Sequence, residues 1–167
     1  ALSLAVAAAY PSAYLTAYVA LVRRANLQAG ETLLVHGAAG GVGLATVDLG
    51  RILGARVIAT SASAYKRAAL AAYGADHVLD VSGDFAAEVK ALTEGRGADV
   101  VFDPVGGDVF DQSARCTAFD GRLLIIGFTG GRFATLATNY ALIKGFSVMG
   151  VRAGEYGRRF PDKGQEN

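Results

Sequence analysis

The stretch His36-Gly37-Ala38-Ala39-Gly40-Gly41-Val42-Gly43 decides the fold of this 167-residue chain. It follows an apolar run at residues 32–35 and precedes a segment at residues 44–53 with the composition of a helix. A glycine-rich run in this position is typical of the turn between the first strand and first helix of a βαβ unit. The sequence therefore predicts a phosphate-binding turn here.

The spacing of small residues in this turn fits the pattern G-x-G-x-x-G when Ala38, Gly40 and Gly43 fill the three positions. Alanine replaces the first glycine, and a small residue can still form a tight turn there. Gly40 allows the backbone to approach a pyrophosphate, and Gly43 allows the helix to pack closely on the strand. The free N–H groups and partial positive charge of the helix start favour the phosphates.

Composition places the chain among globular α/β domains. Hydrophobic residues make up 52% and charged residues 19%, and the length suffices for one domain with a full core. The net charge of +1 gives no reason to expect a nucleic acid or an anionic membrane as partner. A single cysteine, Cys116, excludes an internal disulfide and a cysteine-rich zinc site, so we expect a cytoplasmic protein.

The first 22 residues carry no charge, which raises the possibility of a membrane segment. Pro11-Ser12 interrupts the stretch, several tyrosines lie in its middle, and the arginines come after it rather than before it. We therefore expect a buried helix that begins near Ser12, as its cap, and ends near Asn26. Because the chain starts without Met in a helical region, we also expect it to be part of a longer protein.

Strand-like and helix-like segments alternate along the rest of the chain. Short apolar runs predict parallel strands that are covered on both faces. Gly54, Gly74, Gly95 and Gly121 are expected to close helices in a left-handed conformation. The pattern predicts a doubly wound, six-stranded parallel sheet of the Rossmann type in three αβα layers. The predicted strands are 33–36, 56–60, 77–80, 99–103, 122–127 and 147–151, and the predicted helices are 42–53, 64–73, 85–93, 108–118 and 136–144.

The loop after the second predicted strand indicates which dinucleotide binds. An NAD site places an acidic residue there to hold the ribose hydroxyl, yet none occurs at residues 49–75. Instead, the loop carries Ser61, Ser63, Lys66 and Arg67, and hydroxyls with cations suit a 2′-phosphate. We therefore expect NADP(H). The alternative is an ordinary helix start, with Ser63 as cap and Lys66 and Arg67 in solvent.

Several motifs together resemble the zinc-independent medium-chain dehydrogenase/reductases, and within them the NADPH:quinone oxidoreductase branch. The resemblance implies a longer enzyme in which a GroES-like catalytic domain precedes this segment. It also implies metal-free hydride transfer from NADPH to a quinone or an α,β-unsaturated carbonyl. The motifs are Leu15-Thr16-Ala17-Tyr18, the glycine turn through Leu44, Phe102-Asp103-Pro104-Val105-Gly106-Gly107 and Ile125-Ile126-Gly127-Phe128.

The resemblance also implies roles for individual residues, although it identifies no catalytic residue. Thr16 would lie near the nicotinamide, and Ser61, Ser63 and Lys66 would hold the 2′-phosphate. Val81 departs from the pattern, because the branch often has a tyrosine beside the phosphate there. Residues 147–151 would pair with a second copy in a homodimer. The pyrophosphate would contact Ala39, Gly40, Gly41 and Val42, and the ribose loops would be formed by Val105, Gly106, Gly127, Phe128 and Thr129.

A non-catalytic NADPH-binding sensor or a structural protein of the crystallin kind is the alternative function. Other motifs have simpler interpretations. Tyr140 and Lys144 match the Tyr-x-x-x-Lys spacing of short-chain dehydrogenases, but the rest of that pattern is absent, so we interpret the match as chance. We expect His36 to be a hydrogen-bonded core residue and Cys116 to be a packing residue, and we expect no metal site.

Overall fold

The computed structural model describes residues 3–165 of the chain. Parallel strands alternate with helices after a long N-terminal helical segment. The elements are α1 (Leu4–Tyr18), a π-helical extension (Val19–Arg24), β1 (Thr32–Val35), α2 (Gly41–Ile52), β2 (Arg56–Thr60), α3 (Ala64–Tyr73), β3 (His77–Leu79), α4 (Phe85–Leu92), β4 (Ala98–Asp103), α5 (Gly107–Cys116), β5 (Thr117–Ile125), α6 (Thr138–Lys144), β6 (Ser147–Gly150), α7 (Ala153–Arg159) and α8 (Pro161–Gln165).

The six strands form one sheet in the order β3-β2-β1-β4-β5-β6, and every neighbouring pair is parallel. The order reverses between β1 and β4, where Leu33 pairs with Val57 on one side and with Val100 on the other. Ligands of doubly wound sheets bind at the carboxyl ends of the strands beside such a reversal. The predicted fold class is therefore confirmed.

Side chains of β1 alternate between the two faces of the sheet and so divide the core in two. Leu33 packs in a cluster with residues of the π-helical extension, α2 and α3. Leu34 packs in a second cluster with residues of α4 and α5, and Tyr140 of α6 packs against it. Helices therefore cover both faces of the sheet, which gives the three-layer arrangement that the continuous apolar strands predict.

The predicted start of the first helix is wrong. The helix begins at Leu4, and Pro11 and Ser12 lie inside it, so Ser12 is not a cap. Ala7, Ala8 and Ala9 lie just before the proline and favour a helix, and the helix runs through Pro11 although the proline removes one backbone hydrogen bond. The helical segment ends near Asn26, as predicted, and Asn26 has a left-handed φ of 48°. Within residues 3–165, no helix is long and apolar enough to cross a membrane.

The fifth strand also begins earlier than predicted. It starts at Thr117, directly after α5 ends at Cys116, and its pairing with β4 shifts register between Ala98 and Val100. Gly121 therefore lies inside this strand and does not cap a helix, and the left-handed residue is Asp120. Gly54, Gly74 and Gly95 do adopt positive φ angles as predicted. The remaining predicted boundaries differ from the structure by two residues at most.

Candidate functional site

The glycine turn connects the end of β1 to the start of α2 at the point where the strand order reverses. Gly37 has a φ of +58°, and the Gly40 N–H donates a 3.0 Å hydrogen bond to the Gly37 carbonyl. The left-handed residue is thus Gly37, one position before the first position of the G-x-G-x-x-G frame. Ala38 is fully buried and needs no positive φ, so the turn tolerates alanine there.

The other glycines of the turn differ in how much space the protein leaves for a side chain. A Cβ on Gly43 would lie 2.3 Å from the Gly37 carbonyl oxygen and 2.7 Å from Ala38 Cα, so packing inside the protein requires glycine. A Cβ on Gly40 would lie 3.4 Å from the same oxygen, and one on Gly41 would meet nothing within 4 Å. Both residues are exposed. The fold explains Gly43, whereas Gly40 and Gly41 leave a bare backbone that a ligand can approach.

The start of α2 presents open hydrogen-bond donors. Its N-cap, Gly40, makes no side-chain hydrogen bond, and its first turn contains no acidic residue. By contrast, Ser63 caps α3 and Asp84 caps α4 by accepting from backbone N–H groups. An uncapped helix start carries unpaired N–H groups and a partial positive charge, and it can therefore hold a phosphate.

The loop after β4 lies beside the glycine turn, since a Cβ on Gly37 would be 3.1 Å from Cγ of Pro104. Asp103 shapes this loop, because its Oδ1 accepts hydrogen bonds from the N–H groups of Val105 (2.8 Å) and Gly106 (2.9 Å). Burial raises the pKa of the Asp103 carboxyl, and the two backbone hydrogen bonds oppose that rise. Asp103 therefore holds the loop in place.

The loops after β4 and β5 are joined by backbone hydrogen bonds. Thr129 donates to the Pro104 carbonyl from both its N–H (3.0 Å) and its hydroxyl (3.1 Å), and Gly130 donates to the Val105 carbonyl (2.9 Å). A Cβ on Gly127 would lie 3.2 Å from the Pro104 carbonyl oxygen. The structure thus brings together the predicted ribose-loop residues, which are Val105, Gly106, Gly127, Phe128 and Thr129.

Thr16 lies in α1, and its hydroxyl donates a 2.8 Å hydrogen bond to the Ser12 carbonyl. It lines a cleft of about 520 Å³ together with Ile126, Val151 and Arg152. Ile126 and Val151 directly follow β5 and β6, so the cleft lies at the carboxyl edge of the sheet. Thr16 therefore occupies the same edge of the sheet as the glycine turn, on the side of β5 and β6.

The loop after β2 contains the predicted phosphate ligands. Ser63 Oγ lies 3.5 Å from the Lys66 N–H as the cap of α3, and Ser63 N–H donates to Ser61 Oγ at 3.4 Å. Lys66 is exposed, and its ammonium has no ion-pair partner in the described part of the chain. The capping alternative is thus confirmed for Ser63, while Lys66 remains free to meet an anion.

Arg67 is not solvated, contrary to the alternative interpretation of this loop. Its Nη1 donates to the Ser61 and Ala62 carbonyls and pairs with Asp80 Oδ2, each at 2.9 Å. Asp80 is not among the predicted site residues, because the pattern of an NAD site places its acid near the end of the second strand. The parallel pairing of Thr60 with Leu79 would have placed Asp80 beside Ser61.

Val81, where the resembled branch often has a tyrosine, is half-buried and packs against the core cluster that contains Leu79 and Phe85. The backbone after β3 therefore directs this side chain into the protein. Asp80 instead provides the polar group next to the loop after β2.

His36 is a core residue, as predicted. It is fully buried, and its Nδ1 lies 2.9 Å from Thr60 Oγ1 and its Nε2 2.8 Å from Ser113 Oγ. Burial lowers the pKa of His36 to about 3, so the ring is neutral at physiological pH. The histidine links β1 to β2 and α5 directly before the glycine turn.

We expect His36 to make the fold sensitive to acid. An unfolded chain protonates the imidazole near pH 6.5, whereas the folded chain resists until about pH 3. The free energy of unfolding should therefore fall as pH drops below about 6.5, by as much as about 1.4 kcal/mol per pH unit from this residue. Urea unfolding at pH 7.5 and 4.5 measures the drop. His36→Gln should show a smaller drop than wild type, and an equal drop in the two proteins would contradict the expectation.

The short-chain-dehydrogenase spacing of Tyr140 and Lys144 does not form a site. Lys144 Nζ donates to the carbonyls of Ala114 (3.0 Å) and Arg115 (2.7 Å), at the end of α5. That end precedes β5, so it lies at the sheet edge opposite to the glycine turn. Cys116 is buried, and burial raises the pKa of its thiol to about 11. Within residues 3–165, no cluster of three or more His, Cys, Asp or Glu residues could hold a metal.

The fold and the site together define a Rossmann-type nucleotide-binding domain. Comparison with known proteins agrees, since the family model described as "Zinc-binding dehydrogenase" matches residues 41–164. The chain belongs to this family of dehydrogenases, as a quinone oxidoreductase-like cofactor-binding domain of the medium-chain dehydrogenase/reductases.

Two relatives of known sequence are about twice as long as this chain. Quinone oxidoreductase-like protein 2 homolog of Nematostella vectensis is 40% identical over 96% of this chain and 44% of the relative. Quinone oxidoreductase-like protein 2 of Mus musculus is 41% identical over 92% of this chain and 45% of the relative. The chain thus spans less than half the length of the curated relatives it matches.

Solved structures confirm the fold. A quinone oxidoreductase of Pseudomonas syringae pv. Tomato DC3000 superposes with a TM-score of 0.87 at 32% identity, over 95% of this chain and 49% of that chain. The nucleotide-binding subdomain of the enoylreductase domain of PpsC from Mycobacterium tuberculosis gives 0.84 at 32% identity, over 94% of this chain and 88% of that one. The chain is therefore an NAD(P)-binding oxidoreductase domain.

Proposed function

We propose that this chain is the cofactor-binding domain of a longer enzyme that uses NADPH to reduce a quinone or an α,β-unsaturated carbonyl without a metal. The open, uncapped start of α2 at the reversal of strand order carries the proposal. That arrangement suits a pyrophosphate, and the dinucleotide can extend from it in both directions along the sheet edge. The length of the relatives supports a second domain outside this chain.

The site residues follow the sheet edge in the order that a dinucleotide requires. Ser61, Ser63 and Lys66 follow β2 and would hold the adenosine 2′-phosphate, while the cleft beside Thr16 lies towards β5 and β6 and would receive the nicotinamide. The joined loops after β4 and β5 would contact the riboses between them. The pyrophosphate would rest on Ala39, Gly40, Gly41 and Val42.

NADPH would supply a hydride to the acceptor when bound, and the residues of this chain would bind and orient it. Backbone N–H groups at the start of α2 would hold the pyrophosphate without a side chain. The hydrogen bonds from Thr129 and Gly130 to the loop after β4 would keep the ribose loops fixed. A fixed cofactor presents its reactive ring to one place, which lowers the entropic cost of hydride transfer.

We also propose a homodimer formed through β6, in a cytoplasmic protein whose partner is the small-molecule acceptor rather than a nucleic acid or a membrane. β6 is an edge strand, and Ser147, Val148 and Gly150 are exposed along it. Pairing with a second copy would satisfy the unpaired backbone groups of this edge. The single cysteine and the net charge of +1 support the location and the choice of partner.

Turnover by the full-length protein tests the proposed reaction. NADPH oxidation followed optically, with quinones and α,β-unsaturated ketones as acceptors, should show activity in protein treated with a metal chelator. The isolated chain should bind NADPH but reduce these acceptors poorly, because the second domain is missing. NADPH binding without turnover by the full-length protein would instead favour a non-catalytic sensor or structural protein.

Reversing the charge of Lys66 should weaken the binding of NADPH more than the binding of NADH. The exposed ammonium has no ion-pair partner within residues 3–165, and a glutamate there would repel the dianionic 2′-phosphate. We expect Lys66→Glu to raise the Kd for NADPH by about tenfold or more and to change the Kd for NADH much less. Titration calorimetry measures both.

Lys90→Glu provides the matched control, because Lys90 is exposed near the end of α4, at the opposite edge of the sheet. It makes the same change in net charge and should leave both dissociation constants unchanged. An equal loss of NADPH affinity in the two variants would show that the effect comes from net charge and not from a phosphate contact at Lys66.

A further inference from the structure

The guanidinium of Arg67 ties together two loops at the adenosine end of the proposed site. Its Nη1 lies 2.9 Å from each of three oxygens, the carbonyls of Ser61 and Ala62 and Oδ2 of Asp80. Asp80 belongs to the turn after β3, whereas the two carbonyls belong to the loop after β2. One cation therefore joins a carboxylate to the backbone of the loop that leads into α3, the helix that contains Lys66.

Asp80 is held as a fixed negative charge. Its Oδ1 accepts a 2.9 Å hydrogen bond from the Ser82 N–H, and its Oδ2 pairs with Arg67. The backbone hydrogen bond from Ser82 and the nearby guanidinium keep the pKa of this carboxyl below its usual value. The carboxylate cannot move far from Ser61, because Ser61 N–H donates to the Leu79 carbonyl (3.2 Å) and so links the two strands where they end.

A carboxylate next to this loop would weaken the binding of NADPH unless a cation balances the charge of the carboxylate. Sites that prefer NAD place an acid near the adenosine ribose, where it binds the free hydroxyls and repels a 2′-phosphate. Asp80 is the acidic residue that the structure brings to this loop, through the strand that follows the glycine-rich βαβ unit.

We propose that Arg67 determines cofactor specificity by neutralising Asp80 and fixing the Ser61-Ala62 backbone, which makes this loop accept the 2′-phosphate of NADPH. Arg67 acts here as a positioning residue, through Asp80 and the loop, and Lys66 meets the phosphate. This inference rests on the proposed NADPH site. The choice between the two dinucleotides then depends on Arg67 in the first turn of α3 and on Asp80 after β3, and not on the loop after β2 alone.

Charge variants of the pair test the inference in the chain as it stands. Arg67→Ala should raise the Kd for NADPH by about tenfold and leave the Kd for NADH unchanged or lower, because Asp80 then faces the phosphate without a counterion. Adding Asp80→Asn to Arg67→Ala should restore the NADPH-to-NADH ratio to within about threefold of wild type. Arg67→Gln removes the charge but keeps donors for the Ser61 and Ala62 carbonyls. It should lower the preference for NADPH over NADH as much as Arg67→Ala does.

Arg56 offers a matched control, because it lies at the start of β2, at the opposite end of that strand from the Ser61-Ala62 loop. It also bonds a backbone carbonyl, that of Leu92 at 2.8 Å, and a residue of β3, His77 at 2.7 Å. Arg56→Ala should leave the ratio of the two dissociation constants unchanged, although it can lower thermal stability as much as Arg67→Ala does. This separates a specific effect at the adenosine end from a loss of structure.

The outcomes distinguish this inference from the proposed function. Wild-type protein that prefers NADH, or that binds neither dinucleotide, would overturn the proposed NADPH site. Wild-type protein that prefers NADPH while Arg67→Ala and Arg67→Gln keep the same ratio would overturn only the role of Arg67. A double variant no better than Arg67→Ala would show that Arg67 does not act by masking Asp80, and would overturn the inference as well.

Discussion

Replacing Gly43 by alanine is expected to destabilise the fold by about 3 kcal/mol or more, because the new methyl group would overlap the backbone. Its Cβ would lie 2.3 Å from the Gly37 carbonyl oxygen and 2.7 Å from Ala38 Cα. Backbone atoms cannot rotate aside as a side chain can, so either the turn or the start of α2 must shift. Urea unfolding of Gly43→Ala against wild type measures the change in free energy.

Gly41→Ala is the matched control, since the two glycines are neighbours in the first turn of the same helix. A Cβ on Gly41 would meet nothing within 4 Å, and alanine has a higher helix propensity than glycine. This variant should keep the wild-type stability or gain about 0.5–1 kcal/mol. Equal stability of Gly43→Ala and wild type would contradict the close packing of α2 on β1 that the structure shows.

Replacing Gly40 by alanine should have the opposite signature, with lost affinity and preserved stability. Gly40 has an extended backbone (φ −83°, ψ 166°) that any residue adopts, and its Cβ would come no closer than 3.4 Å to the protein. A methyl group there would keep the pyrophosphate from the N–H groups of α2. We expect the Kd for NADPH to rise by about tenfold or more, with the free energy of unfolding within about 1 kcal/mol of wild type.

Gly83→Ala controls for a glycine replaced elsewhere at the same edge of the sheet. Gly83 follows β3, has no positive φ, and its Cβ would approach the protein no closer than 3.7 Å. Affinity and stability should both stay at the wild-type values in this variant. If Gly40→Ala bound NADPH as tightly as Gly83→Ala does, the start of α2 would not hold the pyrophosphate.

The sequence predicts most of the sheet because each strand is a short apolar run between turn residues. β2 and α3 have the predicted boundaries, and the parallel six-stranded arrangement follows from the alternation of strands and helices. The prediction fails where the usual signals are absent or overridden. No glycine or proline occurs at residues 108–120, so the sequence does not indicate the direct change from helix to strand after Cys116. Pro11 is a usual sign of a helix boundary, yet α1 runs through it.

The site is predictable in so far as it depends on local sequence. The glycine turn and the loop of Ser61 and Lys66 are contiguous segments, and their positions between strand and helix are as predicted. The pair of Arg67 and Asp80 depends on which strands are neighbours and in which register, and a local pattern does not contain this information. The left-handed φ of Gly37 is likewise a property of the folded turn, which is why Ala38 in the first glycine position does no harm.

We expect this chain to bind NADPH at the start of α2 in preference to NADH. Titration calorimetry of the wild-type chain with each dinucleotide measures this preference. We expect one site for each cofactor and a Kd for NADPH at least about tenfold lower than that for NADH. A lower Kd for NADH, or no binding of either dinucleotide, would contradict it.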